Sequence, residues 1–322
     1  MKETLWTPRG EIPISEILAK KEGSGVIYKD KKPATISPEQ ILAHLSKARR
    51  LWEEQQVGQR EATVEVRPAY PDLPIFIWLL NDVHAGSVFT DYQALIRDYQ
   101  LVRDTANFYV ITNGDQVDNF LVDTVQAAGV YEDAISPEQQ ALLVRSLLKE
   151  LDSRQKLLGI SFGNHEDFIQ RGGLSFEGTW LRDLSCPIFN CGGLLILKYG
   201  GQEYKIALTH RFWGFSKLNP TNACKRFMEH AYPDADVIYL AHSHQREYLY
   251  FERGGKGRVA IVGGTYKVDD EFGQKRGIGV GGQMGGLVLG LSGKKREMRV
   301  FESVPTAREY FEILLDLRKI TS

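Results

Sequence analysis

Residues 75–84, with the sequence IFIWLLNDVH, join a continuous apolar run to an Asp-x-His motif. The run Ile75–Leu80 follows Pro74 and is apolar throughout, which is typical of a strand covered on both faces. Asp82 and His84 come directly after it. Residues just beyond the carboxyl end of a strand in an α/β sheet face the crevice where such folds bind ligands. The stretch therefore predicts a buried strand that delivers two polar side chains to a site.

Four more apolar runs end in the same way. They are Phe108–Thr112 before Asp115, Leu157–Phe162 before Asn164 and His165, Tyr204–Leu208 before His210, and Val237–Leu240 before His242 and His244. Five of the 7 histidines of the chain thus lie in strand-end motifs. One such motif is weak evidence, but five in a fixed order are hard to obtain by chance. We predict that these side chains meet in one crevice.

Helix-start and hairpin signals complete the fold prediction. Capping-box patterns occur at Thr90 with Gln93 and at Ser136-Pro137 with Gln139. Hairpin turn signals occur at Gly200-Gly201 and at Ser292-Gly293. Strand–helix–strand alternation followed by hairpins predicts a sheet-centred α/β fold.

The composition limits the class of protein. A chain of 322 residues that is 43% hydrophobic can bury a large core, as one domain or two. The net charge is -1 and the pI about 6.7, so no global charge attracts the chain to nucleic acid or to an anionic membrane. Any affinity for phosphate must therefore come from a local patch or from a bound metal.

The chain shows no membrane or secretion signal. Its longest apolar run, Ile75–Leu80, is far shorter than the roughly 20 residues that a bilayer requires, and Met1–Gly10 has no apolar signal core. We predict a soluble, cytoplasmic protein. Cys186, Cys191 and Cys224 are too irregularly spaced for a disulfide framework, so we predict reduced, buried thiols, with a Cys186–Cys191 pair as the alternative.

The motifs resemble those of the calcineurin-like metallophosphoesterase superfamily, whose pattern is D-x-H, G-D-x-x, G-N-H-(D/E), H and H-x-H. Every ligand position of that pattern is filled, and the resemblance extends from Ile75 to about Leu291. It implies an α/β sandwich of two mixed β-sheets flanked by helices, here with a small N-terminal appendage. It also implies a hydrolase that uses two divalent metal ions to cleave phosphoesters.

Three segments are predicted along the chain. Residues 1–70 form an accessory segment, helical plus a short strand, residues 71–305 form the catalytic domain, and residues 306–322 form a C-terminal helix packed on the body. A helix is predicted to begin at Ser37-Pro38-Glu39-Gln40, with an apolar stripe made of Ile41, Leu42, Leu45, Ala48, Leu51 and Trp52. This stripe is interpreted as packing on a core, with nucleic-acid contact through Lys47, Arg49 and Arg50 as the alternative. The glycine-dense segment 263–286 is either a plain connection or a substrate-gating loop.

The resemblance implies two metal sites that share one carboxylate. Asp82, His84 and His244 would hold one ion, Asn164, His210 and His242 would hold the other, and Asp115 would bridge both. These ligands offer oxygen and nitrogen only, which leaves manganese, iron or zinc. We predict manganese, by analogy with the nuclease and diesterase members.

Two further residues receive catalytic roles from the resemblance. His165 would protonate the leaving oxygen or stabilise charge on the phosphoryl group, and Asp118 would orient its imidazole. Glu166 is interpreted as a supporting or capping residue and not a ligand. His44 and His230 lie outside the pattern and are interpreted as structural.

Departures from one branch of the superfamily bear on the substrate. Its phosphoprotein phosphatases carry arginines in the second and third motifs, where this chain has Asn119 and Phe162. The segment after His210 offers cations and aromatic side chains instead, which suit phosphates and bases. Its candidate substrate-binding residues are Arg211, Phe212, Trp213, Lys217 and Arg226. The alternative is that Phe212 and Trp213 are core residues.

The leading functional hypothesis is a metal-dependent phosphodiesterase that acts on nucleic acid or nucleotides. A phosphomonoesterase of the same superfamily is the first alternative. The second is a binding or assembly module that uses this fold as a scaffold, with residues 1–70 as its docking element. The sequence makes no prediction of oligomeric state.

Overall fold

The computed structural model describes residues 4–7, 10–13, 38–56, 60–119, 132–170, 181, 183–190, 192–216, 218–268 and 285–321. The chain divides into two compact units, Met1–Gln56 and Val57–Ser322.

The first unit contains a hairpin and a helix. Strand β1 (Thr4–Thr7) pairs antiparallel with β2 (Gly10–Pro13), and helix α1 spans Pro38–Gln56. The apolar side chains Ile41 and Leu45 of α1 are exposed, so the predicted packing of this stripe on a core is wrong for these residues.

The second unit contains the remaining elements. Its strands are β3 (Glu61–Glu65), β4 (Ile75–Leu80), β5 (Phe108–Asn113), β6 (Leu157–Ser161), β7 (Ile188–Phe189), β8 (Gly193–Tyr199), β9 (Gln202–Thr209), β10 (Val237–Leu240), β11 (Glu247–Arg253), β12 (Lys256–Val262), β13 (Val288–Leu291) and β14 (Met298–Phe301). Its helices are α2 (Tyr92–Asp104), α3 (Pro137–Ser153), α4 (Asn164–Gln170), α5 (Asn222–Ala231) and α6 (Val304–Thr321).

These strands form two mixed six-stranded sheets. The first sheet has the order β14-β13-β4-β5-β6-β7, in which β4, β5, β6 and β7 are parallel. The second has the order β11-β12-β10-β9-β8-β3, in which β9, β10 and β12 are parallel. The α/β fold of two mixed sheets flanked by helices is thus confirmed. Strand β3 pairs with β8 as an edge of the second sheet, while the predicted boundaries at residues 70 and 305 stay predictions.

Three apolar clusters show how the layers pack. Ile77 of β4 and Ile206 of β9 belong to the cluster between the two sheets. Trp78 faces the other side of the first sheet, with buried residues of α2, α3 and α6. Ile238 faces the other side of the second sheet, with α5. All six residues of Ile75–Leu80 are buried, as expected for a strand covered on both faces.

The helix starts follow local signals, with one difference. The Ser136 hydroxyl accepts from the Gln139 backbone N–H, and the Gln139 side chain accepts in return, so the predicted capping box of α3 is confirmed. For α2 the prediction of Thr90 as the cap is wrong, because Asp91 accepts from the Ala94 N–H. The Thr90 hydroxyl instead donates to the backbone oxygens of the Asp-x-His loop.

Other predictions lie partly outside the described residues. Both hairpins are confirmed, β8–β9 and β13–β14. Most of the glycine-dense segment, 269–284, lies outside the described residues. Cys224 is buried and Cys186 is half-buried, each as a free thiol, while Cys191 lies outside. Among the described helices, none has the length and apolar character to span a bilayer.

We expect the buried Tyr109 hydroxyl to make the sandwich less stable as the pH becomes alkaline. It lies in the core between the sheets, where burial raises the pKa of its hydroxyl from 10.0 to about 12. The resulting stabilisation is complete below pH 10 and is lost as the pH rises through about 12, because the hydroxyl of the unfolded chain gives up its proton at a lower pH than that of the folded chain. We predict that Tyr109→Phe flattens the decline in unfolding free energy between pH 10 and 12, measured by urea denaturation. Equal slopes in both proteins would contradict this.

Candidate metal centre

The predicted ligands lie at the carboxyl ends of five strands that come from both sheets. Asp82 and His84 follow β4, Asp115 follows β5, Asn164 follows β6, His210 follows β9, and His242 and His244 follow β10. Strands β4, β5 and β6 belong to the first sheet, and β9 and β10 to the second. The site therefore lies where the ends of the two sheets meet.

Asp82, His84 and His244 form a first cluster. The Nε2 atoms of the two imidazoles are 3.1 Å apart, and His244 Nε2 is 3.3 Å from Asp82 Oδ1. His84 Nε2 is 3.9 Å from the same oxygen. Two ring nitrogens and a carboxylate oxygen thus converge on one point, as the ligands of a metal ion do.

Asp115, His210 and His242 form a second cluster, with ligand atoms within 4.8 Å of one another. His210 Nε2 is 3.0 Å from Asp115 Oδ2. Burial opposes charge on both groups, but their mutual attraction holds the pKa of Asp115 well below its usual range and raises that of His210 to about 10. The Asp115 carboxylate therefore attracts positive charge at this point, as the proton on His210 shows.

Hydrogen bonds orient the ligand rings. His84 Nδ1 donates to Asp118 Oδ1 at 2.7 Å, and His210 Nδ1 donates to the Asn113 carbonyl oxygen at 2.8 Å. Because both partners act as acceptors, each ring turns its Nε2 towards its cluster. Burial lowers the pKa of His84 and of His242 to about 4, which keeps both in the neutral form that binds metals.

The backbone at five of the seven proposed ligands adopts the left-handed conformation, which is uncommon for residues other than glycine. The φ angles are 47° at Asp82, 50° at His84, 51° at Asp115, 70° at His242 and 55° at His244. Such angles cost energy and persist only where the surroundings impose them, typically at functional sites. The sequence carried no signal for this feature.

The region of the chain that carries these ligands matches a known protein family. A family model described as calcineurin-like phosphoesterase matches residues 76–246, more than half of the chain. The chain belongs to the calcineurin-like phosphoesterase family. Membership of this family supports a metal-dependent hydrolase. A search of curated proteins found no match to this chain.

Solved structures of similar fold share little sequence with this phosphoesterase. Vacuolar protein sorting 29 from Cryptosporidium parvum is 14% identical, with a TM-score of 0.37 over 71% of this chain and 98% of that chain. The calcineurin-like phosphoesterase YfkN from Bacillus subtilis is 14% identical, with a TM-score of 0.34 over 73% and 92%. A metallophosphoesterase from Sphaerobacter thermophilus is 14% identical, with a TM-score of 0.33 over 70% and 86%. Likenesses of this degree say nothing about a substrate.

The Glu166 carboxylate joins two loops of the phosphoesterase site. It accepts from the backbone N–H groups of Asp115 at 2.9 Å, Gln116 at 2.6 Å and Gly163 at 2.8 Å. Its burial raises its pKa, as does the charge of Asp115. A Cβ atom on Gly163 would lie 2.1 Å from Asp115 Oδ1, so only glycine fits this close approach. Glu166 is thus placed to support the site, as the sequence analysis interpreted it.

The Asp118 carboxylate and the Asp118 carbonyl oxygen have different hydrogen-bond partners, and the predicted role of the carboxylate in orienting His165 stays a prediction. This carboxylate accepts from His84, and it is the backbone carbonyl oxygen of Asp118 that accepts from His165 Nδ1. The reason is the turn after β5, which brings the Asp118 side chain towards the loop after β4. The His165 ring is buried, and its Nε2 is 3.9 Å from Asp115 Oδ2.

The candidate substrate-binding residues differ in their surroundings. The Phe212 ring packs on Phe227, with centroids 5.1 Å apart, which favours the core interpretation for Phe212. Trp213 is 60% exposed, and the Arg226 guanidinium lies 4.9 Å from its ring centroid. Arg211 is exposed, and Lys217 lies outside the described residues. Their contact with a substrate stays a prediction.

Two residues near the ligands were not predicted to support the site. The Asn81 amide donates to Asp82 Oδ2 at 2.6 Å, and its oxygen accepts from the Tyr239 hydroxyl at 2.6 Å. Lys267 contacts the Asp118 carboxylate. The contacts of Asn81 with Tyr239 and of Lys267 with Asp118 join residues 158 and 149 positions apart, so no local motif indicated them.

We predict that the chain binds two Mn²⁺ ions and that His210→Ala binds only one tightly, because His210 belongs to the second cluster and not to the first. The measurement is equilibrium dialysis followed by elemental analysis. His230→Ala is the matched control, since His230 is exposed on α5 and should keep both ions. Loss of neither ion in His210→Ala would contradict the assignment of this ligand.

Proposed function

We propose that this phosphoesterase is a two-metal phosphodiesterase that acts on nucleic acid or nucleotides. The observation that carries the metal centre is a set of buried atoms without a hydrogen-bond partner among the described residues. Three of them are Asp82 Oδ1, Asn164 Oδ1 and His210 Nε2, of which Asp82 Oδ1 and His210 Nε2 lie 3.3 and 3.0 Å from another ionisable member of their own cluster. Buried polar atoms are costly unless they are paired. A cation would satisfy all three, and all three belong to the proposed ligands.

The donor set fits two divalent ions that share Asp115. Asp82, His84 and His244 would hold the first, and Asn164, His210 and His242 the second. When bound, such ions provide a nucleophile at neutral pH and positive charge for the phosphoryl oxygens. Manganese suits ligands of this kind and is our first choice, with iron or zinc as alternatives.

His165 is the residue to which we assign proton transfer. Its Nδ1 donates to the Asp118 carbonyl oxygen, so its Nε2 is the atom that faces the clusters. A proton held on Nε2 can be given to the leaving oxygen of the ester. The Asn119 amide donates to the His165 carbonyl oxygen at 3.0 Å, which also fixes this residue.

We predict that His165→Ala retains both ions and loses turnover by about 10²–10⁴-fold, because a general acid contributes to rate and not to metal affinity. Turnover of a chromogenic phosphodiester and Mn²⁺ stoichiometry would be measured on the same samples. A variant that loses metal as severely as His84→Ala would show that His165 is a ligand.

The diester preference rests on the two missing arginines. The Asn119 side chain is buried and bonded to His165, so it offers no cation to a phosphate. A monoester dianion carries more charge on its terminal oxygens than a diester does, and therefore depends more on guanidinium donors. The exposed Trp213 ring, with Arg226 beside it, suits an extended substrate whose base stacks on an aromatic side chain.

We predict a higher kcat/KM for nucleic-acid diesters than for phosphoserine peptides. The double variant Arg211→Gln/Arg226→Gln should bind single-stranded DNA more weakly and with a flatter salt dependence, since phosphate contacts produce that slope. Arg103→Gln/Arg154→Gln removes two charges near the carboxyl ends of α2 and α3 and serves as the matched control.

The outcomes separate the three hypotheses. Preference for phosphopeptides would favour the phosphomonoesterase. Two bound ions without turnover of either ester would favour the scaffold, with residues 1–70 as its docking element. Equal DNA binding by the Arg211/Arg226 variant and its control would remove the proposed nucleic-acid contact.

A further inference from the structure

Lys267 is a buried lysine beside the first ligand cluster. It is 3% exposed, and its Nζ is 3.0 Å from Asp118 Oδ1 and 3.4 Å from Asp118 Oδ2. The Asp118 carboxylate is itself fully buried. A buried charge is tolerated in a protein interior where an opposite charge or hydrogen bonds compensate it. Lys267 supplies that compensation to Asp118.

The Asp118 carboxylate also orients His84, a proposed metal ligand. Asp118 Oδ1 accepts from His84 Nδ1 at 2.7 Å, so one oxygen receives both the ammonium of Lys267 and the imidazole N–H. His84 Nε2, on the far side of the ring, points to Asp82 and His244. The contacts therefore form a chain from Lys267 through Asp118 to the first cluster.

The backbone around Lys267 is bound to the loop that carries the first cluster. The Tyr266 N–H and the Thr265 hydroxyl both donate to the Asp82 carbonyl oxygen, at 3.1 and 2.8 Å. The Lys267 N–H donates to the Thr265 hydroxyl at 3.0 Å, and Lys267 forms a β-bridge with Thr90. The position of the ammonium relative to His84 is thus set by the backbone as well as by the ion pair.

We propose that Lys267 is a positioning residue for the first metal ion, because it holds the Asp118 carboxylate that orients the His84 imidazole. The proposal rests on the proposed metal centre. Removal of the ammonium leaves the carboxylate buried without its main cation, so the carboxylate moves and His84 loses its fixed acceptor. The imidazole then samples orientations in which Nε2 no longer faces Asp82 and His244.

A cycle of four proteins tests this chain of contacts: wild type, Lys267→Met, Asp118→Asn and the double variant. Asp118→Asn keeps an oxygen acceptor for His84 but carries no charge that requires the ammonium. Mn²⁺ affinity is measured by calorimetry and by electron paramagnetic resonance, without any substrate. We expect Lys267→Met to weaken the first ion by about 10–100-fold, the range for residues that orient a metal ligand. In the Asp118→Asn background the same change should matter about threefold or less.

Lys156→Met is the control for loss of a lysine that is half-buried and bonded to the protein interior. Lys156 Nζ donates to the backbone oxygens of Thr105 and Phe108, next to the start of β5 and away from the ligands. This variant should melt at a lower temperature and bind both ions with wild-type affinity. It separates general destabilisation from an effect on the metal site.

The failures of the two proposals are distinguishable. If wild type binds no Mn²⁺, the metal centre itself is wrong. If wild type binds two ions and Lys267→Met binds them within threefold, or if the effect of Lys267→Met is equal in both backgrounds, the role of Lys267 is overturned. If Lys267→Met does not fold, a folded double variant supports the proposal, and an unfolded one overturns it.

Discussion

The Glu166 carboxylate accepts hydrogen bonds from three backbone N–H groups, and the rest of the site depends on this interaction. It joins the loop after β5, which carries Asp115, to the loop after β6, which carries Asn164 and His165. Charge-assisted hydrogen bonds of this kind are about twice as strong as neutral ones, and they offset part of the cost of burying the carboxylate, whose pKa stays raised. Two ligand loops that the sheet alone would only bring near each other are thereby held at a fixed distance.

The loop that carries Asp82 and His84 has a left-handed backbone, and hydrogen bonds from neighbouring side chains hold it in place. Asp82 and His84 both have positive φ angles, and their loop is held by the Thr90 hydroxyl and the Asn81 amide. Conformations of this kind cost roughly 1–3 kcal/mol each. The strands beneath them are among the most buried segments of the protein, so the stable part of the fold supports the strained part.

Much of this arrangement could be predicted from local pattern. An apolar run such as Ile75–Leu80 predicts a buried strand, and a polar residue after it predicts a place at the sheet end. The remainder depends on contacts between distant residues. Lys267 reaches Asp118 across 149 positions, and which atom of Asp118 faces His165 depends on a turn that no motif encodes. Phe212 and Trp213 are neighbours of similar chemistry, yet Phe212 is half-buried against a core cluster and Trp213 is exposed.

The origin of the ligands in both sheets gives the proposed ions a mechanical role besides their chemistry. Ions bound there would cross-link the two halves of the sandwich at one end, where the apolar core between the sheets stops. Such ions bind the folded chain and have no preformed site in the unfolded one, so their free energy of binding adds to the free energy of folding. The half-life of this protein in a cell would then follow the supply of free divalent metal, even when no substrate is present.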